Sequence, residues 1–174
     1  MSAVISILRV TYLELRAAPP LASTLAPPRG GLQFIACERP QLAEYLALYR
    51  AVGEPLRWDQ RLKMPEAELA ALLQGETLDI YVLRDAAARP LGFCEFDRAS
   101  FPDIELKNFG LIDQAQGQGL GTWLLNVALR EEWQFGPTRI WLHTDSWDHS
   151  AAVRVYKRAG FRIYAVRDEP SGPL

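Results

Sequence analysis

A glycine-rich hexapeptide, Gln116-Gly117-Gln118-Gly119-Leu120-Gly121, is the feature that most restricts how this chain folds. An apolar, strand-like run over residues 106–112 precedes it, and a helical pattern of apolar residues follows from about Leu120. Alternating glycines permit positive φ angles and let an anion approach the main chain without meeting a Cβ atom. A helix that begins here directs its unpaired N–H groups and the positive end of its dipole into the same concavity. The pattern predicts a strand–loop–helix unit that binds a diphosphate.

The spacing of the glycines argues against two common phosphate-binding loops. A P-loop ends in Gly-Lys-Ser or Gly-Lys-Thr, whereas here Thr122 follows Gly121 with no lysine between them. The dinucleotide fingerprint G-x-G-x-x-G follows a first strand, whereas this loop reads G-x-G-x-G and lies late in the chain. Both interpretations are therefore poor.

The hexapeptide instead resembles the (Gln/Arg)-x-x-Gly-x-(Gly/Ala) signature of the GNAT family of acetyl-CoA-dependent N-acetyltransferases. Gln116, Gly119 and Gly121 occupy its three signature places. The resemblance covers roughly residues 78–165 well and the first 75 residues poorly.

A second signature of that family, N-x-x-A-x-x-x-Y-x-x-x-G-F, resembles the segment that begins at His149. Ala152, Tyr156, Gly160 and Phe161 fall in register, and His149 stands where the family usually has asparagine. Two motifs in the family's order, about 40 residues apart, strengthen the resemblance.

The resemblance implies an α+β fold with three α/β/α layers, in which a mixed, mostly antiparallel central sheet is splayed between its fourth and fifth strands. We expect a single domain over residues 1–174. Its N-terminal strand, arm and acceptor-side helices would occupy residues 1–77, and its acetyl-CoA-binding core would occupy residues 78–165.

Periodicity and turn residues predict the elements of this layout. Strands are predicted over residues 5–15, 33–37, 78–84, 91–96, 104–112, 139–144 and 161–167. Helices are predicted over residues 40–53, 65–73, 120–133 and 150–159. A segment rich in proline, alanine and glycine, residues 17–31, is predicted to be a connector or arm.

Composition restricts the partners and the compartment. The 174 residues carry 19 basic and 21 acidic side chains with no dense Lys/Arg run, which argues against nucleic-acid or anionic-membrane partners. The start of the chain resembles no signal peptide, and no apolar run approaches the length of a membrane span, so we expect a cytoplasmic protein. Cys37 and Cys94 form no CxxC pattern, and we expect reduced structural cysteines and no metal site.

Acetyl transfer to an amine requires a base, because an alkyl ammonium with a pKa of about 10 carries no lone pair at neutral pH. By the resemblance, Glu105 is the first candidate, although an alternating strand also places polar residues in solvent. His149 and Asp148 are rivals. Asp148 also suits the cap of the following helix, through its short polar side chain.

Tyr156 corresponds to the family's tyrosine that protonates or hydrogen-bonds the departing CoA thiolate, although an aromatic residue here also suits the core beside Val153. The resemblance further implies that pantetheine pairs with the open edge of the strand before the loop. The predicted acetyl-CoA contacts are Phe109, Gly110, Leu111, Ile112, Gln116, Gly117, Gln118, Gly119, Leu120, Gly121, Thr122, His149, Tyr156 and Arg158.

The acceptor side is predicted from the first helices and the loop across the cleft. Tyr49, Trp58, Glu105 and Trp147 are the predicted substrate contacts, with Tyr45, Asp59 and Arg61 nearby. A site walled by aromatic residues and one carboxylate suits an amine that carries an apolar group. Aromatic residues at helical spacing are equally typical of a hydrophobic core.

The resulting hypothesis is an N-acetyltransferase that transfers the acetyl group of acetyl-CoA, by direct attack in a ternary complex, to a small amine, an amino acid or a peptide N-terminus. One alternative is a non-catalytic acyl-CoA-binding sensor or interaction module, which needs neither Tyr156 nor a base. A second alternative is another nucleotide-phosphate binder. The long first strand and the arm are compatible with a homodimer.

Overall fold

The structure is a computed structural model that describes residues 6–19, 26–36 and 39–171. The strands are β1 Ile7–Leu15, β2 Gln33–Ala36, β3 Leu78–Arg84, β4 Pro90–Asp97, β5 Asp103–Leu111, β6 Arg139–Thr144 and β7 Arg162–Pro170. The helices are α1 Leu42–Gly53, α2 Glu66–Gln74, α3 Leu120–Trp133 and α4 Ala152–Arg158, with short 3-10 helices at Glu54–Leu56 and Asp113–Ala115. Each predicted element is present within a few residues of its predicted bounds. Residue 5 and Cys37, predicted as strand ends, lie outside the described residues.

The described strands form one sheet in the order β2-β3-β4-β5-β6-β1-β7. Neighbours are antiparallel except β5 and β6, which are parallel. β1 lies inside the sheet, where Leu13 is opposite both Leu142 of β6 and Ile163 of β7. The sequence predicted this strand but not its place between two strands from the other end of the chain.

Alternating strand residues supply two cores, one on each face of the sheet. In β3, Tyr81 and Leu83 join a cluster with Leu124 of α3, whereas Ile80 and Val82 join a cluster with Tyr49 of α1. The period of two in the strand therefore places helices on both faces, as the alternation of buried residues requires. The predicted three-layer α+β fold is confirmed.

The sheet opens between β5 and β6. Their register has three pairs, Asp103 with Arg139, Ile104 with Ile140 and Glu105 with Trp141. β5 continues along β4 as far as Leu111, and β6 continues along β1 as far as Thr144. The predicted splay is present, and it lies between β5 and β6, the fourth and fifth strands in the order of the sheet.

No helix among the described residues is long and apolar enough to cross a membrane. Cys94 is fully buried in the core, and burial raises the pKa of its thiol, which fits the expected structural role. Cys37 lies outside the described residues.

A buried carboxyl group joins α3 to the sheet. Glu132 is fully buried, and its Oε1 accepts a hydrogen bond of 2.8 Å from the Tyr81 hydroxyl. Its Oε2 has no donor among the described residues but lies near the carboxylate of Asp79, which is itself paired with Arg98. Burial, with Asp79 as a further cause, raises the pKa of Glu132 to about 8. Glu132 is therefore protonated in the folded protein at neutral pH.

Glu132 makes the free energy of unfolding depend on pH. In the unfolded chain the carboxyl ionises near pH 4.5, whereas in the folded protein it ionises only near pH 8. Its stabilising contribution is complete below pH 4.5 and is lost as the pH rises to about 8, because the unfolded state binds fewer protons in that window. Denaturant unfolding at several pH values from 5 to 8 should show a smaller fall in stability for Glu132→Gln than for the wild type. Glu131→Gln, at an exposed neighbour, is the control. Equal slopes for the wild type and Glu132→Gln would contradict this assignment.

Candidate active site

A cleft of about 880 Å³ opens where β5 and β6 separate. Residues from both sequence motifs and from the predicted acceptor side line it together. The predicted residues on its surface are Tyr49, Trp58, Phe109, Gly110, Leu111, Gln116, Gly117, Gly119, Gly121, Thr122, Trp147, His149, Tyr156 and Arg158. Glu105, Ile112, Gln118 and Leu120 do not line it.

The glycine loop forms the predicted concavity. Gly117 and Gly119 have φ angles of +71° and +75°, and a Cβ atom on either would meet nothing within 4 Å. Glycine is needed here for the backbone conformation, since the space beside both residues is open. α3 begins at Leu120, as predicted, and directs its first N–H groups at this loop. The loop and helix therefore fit a diphosphate.

The two glutamines of the loop use their amide donors within the protein. Gln116 Nε2 donates to the Leu111 carbonyl at 3.2 Å, and Gln118 Nε2 donates to the Gln114 carbonyl at 2.8 Å. Gln118 Oε1 accepts a bond of 3.1 Å from Arg29. These side chains hold the shape of the loop, and the main chain supplies the donors for an anion.

Two predicted contacts are turned away from the cleft. Leu120 is fully buried in the core, so only its main chain is suited to the loop. The N–H of Ile112 donates to the Leu91 carbonyl at 2.9 Å, which removes it from the predicted row of donors along β5. The edge of β5 that faces away from β4 has no strand partner in the described structure from Leu106 to Leu111.

Tyr156 lies on the wall of the cleft between two aromatic rings. Its ring centroid is 5.9 Å from those of Phe109 and Phe161, and the residue is 8% exposed. Burial, with Asp148 as a further cause, raises the pKa of its phenol well above the ordinary value. The hydroxyl is therefore protonated at neutral pH and can act as a hydrogen-bond donor.

Glu105 lies beside the cleft at the last β5–β6 pair. Its Oε2 pairs with Lys107 Nζ at 2.8 Å, and its Oε1 is 4.0 Å from His143 Nε2. Lys107 and His143 both line the cleft. His143 was not predicted, although the alternation along β6 places it on the opposite face from buried Leu142.

No described side chain caps the start of α4, where a cap by Asp148 was expected. His149 Nδ1 accepts the Ala151 N–H at 3.1 Å, so the neutral ring carries its proton on Nε2. Asp148 does not cap the helix. Its Oδ2 accepts from the Thr144 hydroxyl at 2.6 Å and from the Asp145 N–H at 3.2 Å, which fixes the loop after β6.

Two contacts bridge the cleft. Trp58 Nε1 donates to Asp148 Oδ1 at 3.1 Å, and the Arg57 guanidinium lies 5.2 Å from the ring centroid of Trp147. They join the loop after α1 to the loop after β6, which are about 90 residues apart. We call these two contacts the bridge.

A buried ion pair anchors the acceptor-side end of the bridge. Arg61 pairs with Glu95 of β4, which is fully buried and also accepts from the Tyr45 hydroxyl. The Arg61 N–H donates to the Tyr49 hydroxyl at 3.4 Å, and burial raises the pKa of Tyr49 to about 12. Arg61 and Tyr45 do not line the cleft, because their side chains are the partners of the buried Glu95 carboxylate.

The bridge predicts that the two loops move together. Trp58→Phe keeps an aromatic ring but removes the hydrogen bond to Asp148, which should cost about 1 kcal/mol of local stability. Amide hydrogen exchange should become faster both in residues 54–60 and in residues 145–149. Trp141→Phe, the same change outside the bridge, should leave both segments unchanged. Faster exchange in residues 54–60 alone would show that the hydrogen bond does not couple the loops.

Solved structures share this fold at low sequence identity. A GCN5-related N-acetyltransferase from Sphaerobacter thermophilus is 18% identical with a TM-score of 0.65, over 94% of this chain and 51% of that one. A GCN5-related N-acetyltransferase from Kribbella flavida is 19% identical with a TM-score of 0.64, over 98% of this chain and 62% of that one. An aminoglycoside acetyltransferase from an uncultured soil metagenomic sample is 15% identical with a TM-score of 0.61, over 75% of this chain and 88% of that one.

The chain thus spans little more than half the length of the first two proteins. The comparison with curated protein sequences gave no match. The model of the acetyltransferase (GNAT) family matches residues 33–161 and includes both sequence motifs. The chain therefore belongs to the GNAT acetyltransferase family.

Proposed function

We propose that this protein transfers the acetyl group of acetyl-CoA to a primary amine by direct attack in a ternary complex. One observation carries the proposal: the glycine loop, the open edge of β5 and Tyr156 line a single cleft with the acceptor-side residues Tyr49 and Trp58. A diphosphate-binding loop alone fits many nucleotides. Here the loop shares its cleft with an unpaired strand edge and a protonated phenol, and this combination fits a ligand that carries an acyl thioester on a long arm.

The chain's own groups suit the two ends of acetyl-CoA. Main-chain N–H groups of the loop and of the start of α3 would hold the diphosphate. The free edge of β5 would pair with the amides of pantetheine as an added strand would. When bound, acetyl-CoA supplies the acyl group as an activated thioester. Tyr156, whose raised pKa keeps the proton on the phenol, would donate a hydrogen bond to the sulfur as it leaves as a thiolate.

Proton removal from the amine is assigned to Glu105 and His143 together. His143 lies on the cleft surface, whereas Glu105 lies behind it with Oε1 4.0 Å from His143 Nε2. An imidazole that faces the amine takes the proton, and the carboxylate stabilises the resulting imidazolium. His149 is less suited, because its Nδ1 already accepts the Ala151 N–H.

A second candidate function is acyl-CoA binding without turnover. The observation that favours it is the ion pair of Glu105 with Lys107, together with the absence of Glu105 from the cleft surface. The two candidates predict the same ligand and differ only in catalysis. The acceptor, the cytoplasmic location and a homodimer stay predictions.

Ligand binding tests the cofactor site first. Acetyl-CoA and CoA, but not ATP, should raise the melting temperature by roughly 5 °C or more at about 100 times Kd. Gly119→Glu places a carboxylate at the anion site and should abolish the shift. Gly119→Ala imposes the same strain at positive φ without the charge, and it should retain most of the binding. A larger shift with ATP than with CoA would contradict the proposal.

Kinetics separate the transferase from the binding module. Tyr156→Phe should keep CoA affinity and lower kcat by about 100-fold, because only the hydrogen-bond donor to the departing sulfur is lost. Glu105→Gln and His143→Gln should each lower kcat, and the double variant should be little worse than either single variant, because the two groups act as a unit. Turnover of a panel of amines by wild type is the reference. CoA binding without turnover of any amine would favour the binding module.

A further inference from the structure

The glycine loop carries no cationic side chain. Its six residues, 116–121, include neither lysine nor arginine, yet the nucleotide end of CoA carries a diphosphate and a 3′-phosphate. Helix N-terminal N–H groups stabilise part of this charge. Arg154 and Arg158 of α4 line the cleft. A further cation reaches the glycine loop from a distant part of the chain.

That cation is Arg29, in the connection between β1 and β2. Its Nη1 donates to Gln118 Oε1 at 3.1 Å, and both side chains are exposed. Gln118 stands between Gly117 and Gly119, the two loop residues with positive φ, and its own amide is fixed on the Gln114 carbonyl. A guanidinium held there lies beside the loop residue that separates Gly117 from Gly119, the two glycines that line the cleft.

The segment that carries Arg29 leads into β2, and β2 packs against α3, the helix that follows the glycine loop. Phe34 stacks on Tyr81 at 5.3 Å and meets Trp123 of α3 edge-on at 6.4 Å. Gly31, with a φ of +77°, turns the chain beside Ala86. Apolar packing of Phe34 therefore fixes the end of the segment, and the hydrogen bond to Gln118 places Arg29 against the loop.

We propose that Arg29 is a phosphate-binding residue for CoA, supplied to the glycine loop by the arm. The proposal rests on the proposed function, because it assigns a contact to that cofactor. A guanidinium has several N–H donors in a planar fork, and Gln118 uses one of them, so the others are oriented for phosphate oxygens. Arg29 precedes the residues that match the family model, 33–161, so this contact belongs to the chain's own arm.

Calorimetric titration with CoA, 3′-dephospho-CoA and pantetheine tests the contact. Arg29→Gln should weaken CoA binding by about threefold to tenfold, as expected for one charged hydrogen bond at an exposed position. Pantetheine, which has no phosphate, should bind both proteins equally. Equal weakening of CoA and 3′-dephospho-CoA assigns Arg29 to the diphosphate, and weakening of CoA alone assigns it to the 3′-phosphate.

Matched variants separate charge from structure. Arg50→Gln removes the same charge from an exposed position at the end of α1 and should leave all three affinities unchanged. Arg29→Lys should recover part of the affinity. In a Gln118→Ala background, Arg29→Gln should cost less than in wild type, because Gln118 no longer orients the guanidinium. Rising salt should weaken CoA binding more steeply in wild type than in Arg29→Gln.

The outcomes distinguish this proposal from the function on which it rests. If wild type does not bind CoA, the proposed function fails. If wild type binds CoA and Arg29→Gln binds it equally well, the phosphate contact is overturned while the function stands. A loss in Arg29→Gln that is as large for pantetheine as for CoA also overturns it, because that result assigns Arg29 to loop structure.

Discussion

The separation of β5 from β6 after three residue pairs is the constraint on which the cleft depends. A sheet that opens leaves backbone N–H and C=O groups without partners, which is costly unless water or a ligand satisfies them. Here each diverging strand is paired on its outer side, β5 with β4 and β6 with β1. The unsatisfied groups are thus confined to the inner edges that face the cleft. An extended ligand with its own amides satisfies these groups as a missing strand would.

β1 makes this arrangement possible, although it precedes the part of the chain that matches the family model. Beyond Trp141, β6 has left β5, and β1 is the neighbour to which it remains paired as far as Thr144. β1 is also antiparallel to β7, and paired hydrogen bonds between Ser6 and Ser171 join the described ends of the two strands. The N-terminal region therefore completes the sheet with β1 and reaches the glycine loop with Arg29.

The helices and strands could be predicted from the sequence, because the spacing of apolar residues and the turn residues largely determine them. Short apolar runs predicted β3 and β6, and the glycines predicted the start of α3 at Leu120. The place of β1 could not be predicted, because strand pairing between distant residues leaves no local signal. The same limit applies to side-chain partners. The carboxylate of Asp148 has the right chemistry for a cap, but the approach of Trp58 and Thr144 from other elements directs it elsewhere.

The centre of the cleft is formed by elements that pack in the core, whereas segments that connect these elements lie around it. The loop conformation, the edge of β5 and Tyr156 depend on the sheet and on two helices that pack against it. Arg29 and Trp58, by contrast, belong to segments distant in sequence from their polar partners, Gln118 of the glycine loop and Asp148 of the loop after β6. Such contacts add little to global stability, since water competes for each of them. Substitutions in these connecting segments should therefore change which ligand binds and how tightly, while the geometry around Tyr156 is held by the core.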